Sequence, residues 1–264
     1  MKNTVQSAAD GTIILPDLDY SYVLAEENYG PGEDIINEGD HGNWTAVVVE
    51  GKADVFKKTP AGPLLLGRVG PGVIIGDLSM VTRKKNLRTA TVRAAEPLVL
   101  GILDIRQIYG EFARLPKEFR AFLESADRRL SGVNHCLVEV HTGQVPADVL
   151  GERTTCLENT REPCWIREGS AALVREKDGK KLCLMGLSAE DFVGGLPFAD
   201  FGHEPDGCAV YVSDDFAAEP MDSAAMKDIF AGAPTAVRQF ITCIASMVRE
   251  TSNRASERYF GDGG

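Results

Sequence analysis

Sliding this chain along itself by 118 positions brings like residues into register over most of the length of a repeating unit. Glu50-Gly51 meets Glu168-Gly169, Ala53 meets Ala171, Leu64 and Leu66 meet Leu182 and Leu184, and Gly76 with Leu78 meets Gly194 with Leu196. Farther on, Asp104 meets Asp222, Phe112 meets Phe230, Pro116 meets Pro234, Arg120 meets Arg238 and Phe122 meets Phe240. Gly32-Glu33 and Gly151-Glu152 correspond at 119 positions, a one-residue difference in a turn. Two copies are too few for a solenoid, so the fold must be one domain made twice. The copies are placed at residues 1–131 and 132–264.

Within the first copy, short apolar runs alternate with turn glycines: Val47 to Val49, Val55-Phe56, Leu64 to Leu66, Val73 to Ile75, Thr89 to Val92 and Leu98 to Leu103. Runs of this length, bounded by glycines at 39, 42, 51, 62, 70 and 72, predict strands of an all-β roll or barrel. Helices follow. Ile105, Ile108, Tyr109 and Phe112 keep helical spacing behind a capping Asp104, and Pro116 breaks the run. Phe119, Phe122, Leu123, Ala126 and Leu130 then resume it. The second copy repeats this ending with Met226, Ile229 and Phe230, then Pro234, then Val237, Phe240, Ile241, Ile244 and Val248. The expected class is therefore mainly β with α, a β-roll or jelly roll plus flanking helices, in two tandem copies. The helical stripes need a partner surface, which is either the roll itself or a seam joining two chains through the C-terminal helices.

A chain of 264 residues, 44% hydrophobic and 25% charged, has enough apolar material for such cores. Its net charge of −11 opposes a phosphate backbone, and the one basic block, Arg83-Lys84-Lys85, reads as a solvated loop face, so nucleic acid is not an expected partner. No run approaches the roughly 18 apolar residues of a membrane span, and residues 1–11 carry no apolar segment. The six cysteines include no C-x-x-C pair, as suits reduced thiols in a cytoplasmic protein. His41, His135, His141 and His203 form no ligand set with them, and His135 and His141 read as part of a strand or linker, so no metal is expected. Neither a nucleophile elbow, a Walker loop nor a spaced carboxylate pair is present, so the chain is not expected to be an enzyme.

The residues that carry chemistry are Gly76-Asp77-Leu78-Ser79-Met80 and, after a loop, Arg88-Thr89-Ala90-Thr91-Val92. A glycine that admits a ligand close to the backbone, followed by a helical turn, offers peptide N–H groups to an anion, and a guanidinium clamps the same anion with forked donors. The stretch resembles the phosphate-binding cassette of cyclic nucleotide-binding domains of the catabolite activator and protein kinase A regulatory type. That pattern runs Gly-Glu-aliphatic-small-aliphatic, a loop, then Arg, a small residue and Ala. Tyr29-Gly30-Pro31-Gly32-Glu33, Glu38-Gly39-Asp40 and Val47-Val48-Val49-Glu50-Gly51 match its flanks. Asp77 stands where the family usually has Glu, one methylene longer, and Leu87 where many members have Pro.

The resemblance implies that Gly76, Leu78, Ser79 and Arg88 hold a phosphate, that Asp77 meets the ribose, and that Thr89 and Ala90 line the ligand. The ligand so implied is a cyclic nucleotide, cAMP or cGMP. The basic loop leaves cyclic di-GMP as an alternative. In the second copy Asp77, Ser79 and Arg88 become Gly195, Pro197 and Asp206, and no Arg or Lys occurs between Lys181 and Lys227, so that site is expected to be lost. Trp165, Phe198 and Phe201 are then candidates for contact with a partner. The functional expectation is a non-catalytic sensor that signals through its helices to an unidentified protein effector. The alternative is a scaffold that keeps the fold without a ligand. The tail, Arg249 to Gly264, reads as too short for a DNA-binding domain.

Overall fold

The computed structural model describes residues 6–7, 10–15, 20–76, 87–145 and 150–261. In the first half the strands are β1 (Gln6–Ser7), β2 (Thr12–Ile14), β3 (Val23–Tyr29), β4 (Asp34–Ile36), β5 (Thr45–Glu50), β6 (Ala53–Thr59), β7 (Gly62–Val69), β8 (Ile74–Gly76), β9 (Thr91–Ala94) and β10 (Leu98–Leu103). They form a sheet of order β1-β2-β7-β6-β9-β4 and another of order β3-β10-β5-β8, antiparallel apart from the β2–β7 pair. Ala46, Val47, Val48, Leu64, Leu66, Val73, Leu98 and Leu100 fill the space these sheets enclose. Helix α1 (Ile105–Ala113) starts where its cap predicts, the Asp104 carboxylate accepting from the N–H groups of Arg106 and Gln107. Pro116 separates it from α2 (Lys117–Thr142), as expected of a residue that cannot continue a helix but can precede one.

The second half has β11 (Arg153–Cys156), β12 (Cys164–Glu168), β13 (Ala171–Lys177), β14 (Lys180–Leu187), β15 (Phe192–Val193), β16 (Ala209–Ser213), β17 (Ala217–Pro220), α3 (Ser223–Gly232) and α4 (Thr235–Phe260). Its sheets run β11-β16-β13-β14 and β15-β12-β17, the order of β4-β9-β6-β7 and of β8-β5-β10. The repeat in sequence is thus a repeat in structure: β13, β14 and α4 span the residues 118 positions beyond β6, β7 and α2.

The chain divides into unit 1, Met1–Pro116 with Ala233–Met247, and unit 2, Lys117–Gly232 with Val248–Gly264. This departs from a cut at 131/132, which falls inside the unbroken helix α2. The reason is chemical: α2 follows the first roll in sequence, yet its side chains bond to the second. Trp165 Nε1 donates to Glu118 at 3.0 Å, Arg128 Nε to Asp191 at 2.8 Å, and Ser125 Oγ to Asp191 at 2.9 Å. In unit 1 the start of α4 closes the roll instead. Gln239 Nε2 donates to the Gly72 carbonyl, and the Ile74 N–H donates to Cys243 Sγ at 3.3 Å, a thiol that burial pushes up to about 12. His135 and His141 lie in α2, not in a strand or linker, because Val133, Cys136 and Leu137 continue its buried stripe past them. All six cysteines are free. Among the described residues, no helix is long and apolar enough to cross a membrane and no group of His, Cys, Asp and Glu could hold a metal.

Unit 2 is organised around charge that is out of water. Arg129 of α2 has no exposure, and its guanidinium lies 4.0 Å from the Phe192 ring centroid. It donates to the Phe192 carbonyl at 2.6 Å and, through both terminal nitrogens, to the Glu204 carboxylate at 2.9 and 3.1 Å. His203 sits 3.2 Å from Arg129 through Nδ1 and 2.9 Å from Ser252 Oγ through Nε2. Burial, and the nearby charge of Arg129, lower the His203 pKa to about 3. Below pH 6.5 the unfolded chain protonates this histidine and the folded chain does not. The contribution is therefore whole above 6.5 and lost as pH falls toward 3, at about 1.4 kcal/mol per pH unit. Urea unfolding at pH 7.5, 6 and 5 is expected to show this decline, and His203→Asn to flatten it. An equal slope in both proteins would refute the assignment.

Candidate functional site

The site begins at the end of β8. Gly76 holds φ +117°, a conformation rarely open to other residues, and pairs with Thr45 at the start of β5. A Cβ on Gly76 would come within 3.0 Å of the Trp44 carbonyl oxygen and the Thr45 Cα, so the strand end can only be glycine here without displacement. Arg88 approaches the same turn. Its Nη2 donates to the Trp44 carbonyl at 2.8 Å, and the guanidinium lies 4.9 Å from the Trp44 ring centroid. Both ends of the predicted cassette thus converge on one peptide group.

The backbone of Arg88 is fixed from both sides. Its N–H donates to the Asp40 carbonyl at 2.8 Å, its own carbonyl accepts from Gly39 N–H at 2.9 Å, and His41 bridges Leu87. These bonds lash residues 87–88 to the turn between β4 and β5. Next in the chain, the Thr89 carbonyl accepts from Lys57 Nζ at 2.6 Å, and Lys57 is paired with Glu38 at 2.7 Å. Glu38 N–H in turn donates to Thr91 Oγ1 at 3.1 Å. Arg88 is 5% exposed, so its charge works in a sheltered medium where a hydrogen bond to an anion is stronger than in water. Thr89 is exposed and Ala90 partly so.

Of the seven residues predicted from sequence, the structure therefore places Gly76, Arg88, Thr89 and Ala90 on the roll and brings Gly76 and Arg88 together. Asp77, Leu78 and Ser79, with Arg83-Lys84-Lys85, lie outside the described residues. Sequence reasoning missed Trp44, whose ring and carbonyl orient the guanidinium, and Gly42. A Cβ on Gly42 would fall 1.9 Å from Arg88 Nε, so the arginine passes where a side chain would otherwise stand. The signal was the small-residue turn just ahead of β5, read only as a turn.

In unit 2, Asp206 occupies the repeat position of Arg88 and makes an exposed pair with Arg161 at 3.6 Å. Trp165 and Phe201 are buried, and Phe198 stacks on Phe230 with centroids 5.0 Å apart. These aromatics are packed within their own unit rather than offered to a partner.

Residues 26–114, the span from β3 through α1, match the family model of the cyclic nucleotide-binding domain. A curated relative, the acetyltransferase Pat of Mycolicibacterium smegmatis, is 32% identical over 132 residues, covering 47% of this chain and 38% of its own length. The N-terminal domain of a transcriptional regulator from Streptomyces coelicolor A3(2) is 32% identical, with a TM-score of 0.29, covering 33% of this chain and 59% of that one. A cyclic nucleotide-binding domain from Methylobacillus flagellatus KT is 28% identical, with a TM-score of 0.30, covering 35% of this chain and 51% of that one. The chain spans well under half the length of the curated relative it matches. Both Gly76 and Arg88 fall inside residues 26–114, the span that matches this family model.

Proposed function

We propose that unit 1 is a non-catalytic sensor of a cyclic mononucleotide, cAMP or cGMP. The observation that carries this reading is the convergence of Gly76 and Arg88 on the Trp44 carbonyl, within a domain that matches the cyclic nucleotide-binding family. In this reading the cyclic phosphate is held by Arg88 and by peptide N–H groups of Gly76, Leu78 and Ser79. Asp77 takes the ribose hydroxyl, and Thr89 and Ala90 border the nucleotide. The bond to Trp44 fixes the plane of the guanidinium before the ligand arrives, which lowers the ordering cost of binding.

Signalling follows from packing. Gly72 and Ile74, the residues that lead into the site, bond to Gln239 and Cys243 of α4. A ligand that alters the β8 end alters the seat of that helix, and it shifts the helix only by its difference in affinity for the two positions. The receiver is a protein effector, and the setting is the cytosol, the compartment that six free thiols favour.

Isothermal titration of the full chain with cAMP, cGMP and cyclic di-GMP tests the reading. One site per chain is expected for one of the two mononucleotides. Arg88→Ala is expected to weaken it roughly tenfold to a hundredfold, the loss of a charge-assisted bond of about 1.5–3 kcal/mol. Unchanged affinity in the variant would sink the site, and silence from all three ligands would favour the scaffold.

A second variant touches no ligand. Gly42→Ala drives a methyl into the Arg88 guanidinium and is expected to cost nucleotide affinity by a similar factor while the fold is retained. Wild-type affinity in a folded Gly42→Ala protein would show that the arginine has no part in binding.

A further inference from the structure

The repeat invites a comparison of the two anion seats, and unit 2 holds an unexpected occupant. Residues 194–208 join β15 to β16 as residues 77–90 join β8 to β9, and residues 195–208 are the repeat mates of 77–90 at the offset of 118 positions. Gly194, the repeat mate of Gly76, has φ +110° against +117°. Its N–H donates at 3.1 Å to the carboxylate of Glu204, a residue of that same loop. Arg129 also donates to this carboxylate, one bond to each oxygen, and the pair is 0% and 2% exposed. A glycine N–H and a guanidinium fork around an anion are the two donors that a phosphate seat requires.

We propose that unit 2 is a self-liganded copy, in which the Glu204 carboxylate fills the oxyanion seat made by Gly194 and Arg129. The cation reaches the seat from α2 rather than from the loop, which is why the absence of Arg and Lys between residues 181 and 227 does not leave the seat without one. The occupant is attached to the chain, so its effective concentration is set by the loop rather than by solution, and it competes with a free anion for the seat. It also ties the loop to α2 permanently, a closed state that needs no ligand. Burial drives the carboxyl toward protonation, but the charge and hydrogen bonds of Arg129 outweigh it, so Glu204 is an anion in the folded chain. This inference rests on unit 2 alone and is independent of what unit 1 binds.

The test is to remove the tethered anion and supply a free one. In the full-length Glu204→Ala chain, inorganic phosphate or acetate should raise the thermal midpoint by roughly 4 °C over sodium chloride of equal ionic strength, the shift given by a ligand at about ten times its dissociation constant. The wild-type protein shows how much of any response belongs to unit 1, and the excess in Glu204→Ala is the reading. The double variant Arg129→Met, Glu204→Ala should lose that excess. A folded Glu204→Ala protein that responds like wild type, or an excess that survives loss of Arg129, overturns the proposal. Should Glu204→Ala not fold in plain buffer, refolding yield becomes the reading. Recovery in acetate or phosphate, but not in chloride, supports the filled seat, and failure of every anion to restore folding overturns it.

Discussion

A guanidinium with no exposure to water must find all its stabilisation inside the protein, and Arg129 sets much of unit 2 by that requirement. It draws the Phe192 carbonyl, the Phe192 ring and both oxygens of Glu204 to one helix position. Replacing such a pair by apolar residues of like volume is often neutral, whereas removing one partner costs about 3–5 kcal/mol because a charge is left buried and alone. The pair ties α2 to the second roll, whose loop bears the Glu204 that neutralises the guanidinium.

The two copies differ in where the cation is mounted. In unit 1 Arg88 belongs to the strand-joining loop itself and is braced by Trp44, Asp40 and Gly39. In unit 2 the loop carries Asp206 at that repeat position, and the cation comes from a helix. A loop that brings a carboxylate meets an arginine already waiting. One duplicated scaffold thus mounts its buried cation on the strand-joining loop in one copy and on a helix in the other.

Much of this fold was legible because its signals are local. Asp104 predicts its own cap, Pro116 its own break, and the offset of 118 positions predicts the second half element by element. Gly76 and Arg88 were legible as a pair, a turn glycine and a forked cation twelve positions apart, and the structure brings both to the Trp44 carbonyl. What escaped is non-local. Arg129 reads as a solvated helix charge beside Arg128, and only its place between Ala126 and Val133 in the buried stripe hints otherwise. Its partner Glu204 is 75 positions away, beyond any periodicity. Trp44 escaped likewise, since its role depends on an arginine 44 positions later. The division into units escaped for the same reason: the residues that tie α2 to the second roll, Glu118, Ser125 and Arg128, look like ordinary surface polars in one dimension.

The acidic balance of the chain sharpens the need for sheltered cations. At a net charge of −11 the far field repels any nucleotide phosphate, yet at physiological salt that field decays over about 8 Å. Binding an anion then depends on what stands within hydrogen-bond reach, where a screened surface charge contributes little and a buried, oriented one contributes most. Arg88, 5% exposed and stacked on Trp44, meets that condition in unit 1, and Arg129 meets it in unit 2. Burial that strengthens such a cation also obliges it to be answered by an anion. In unit 2 that answer comes from the chain itself, through both oxygens of Glu204.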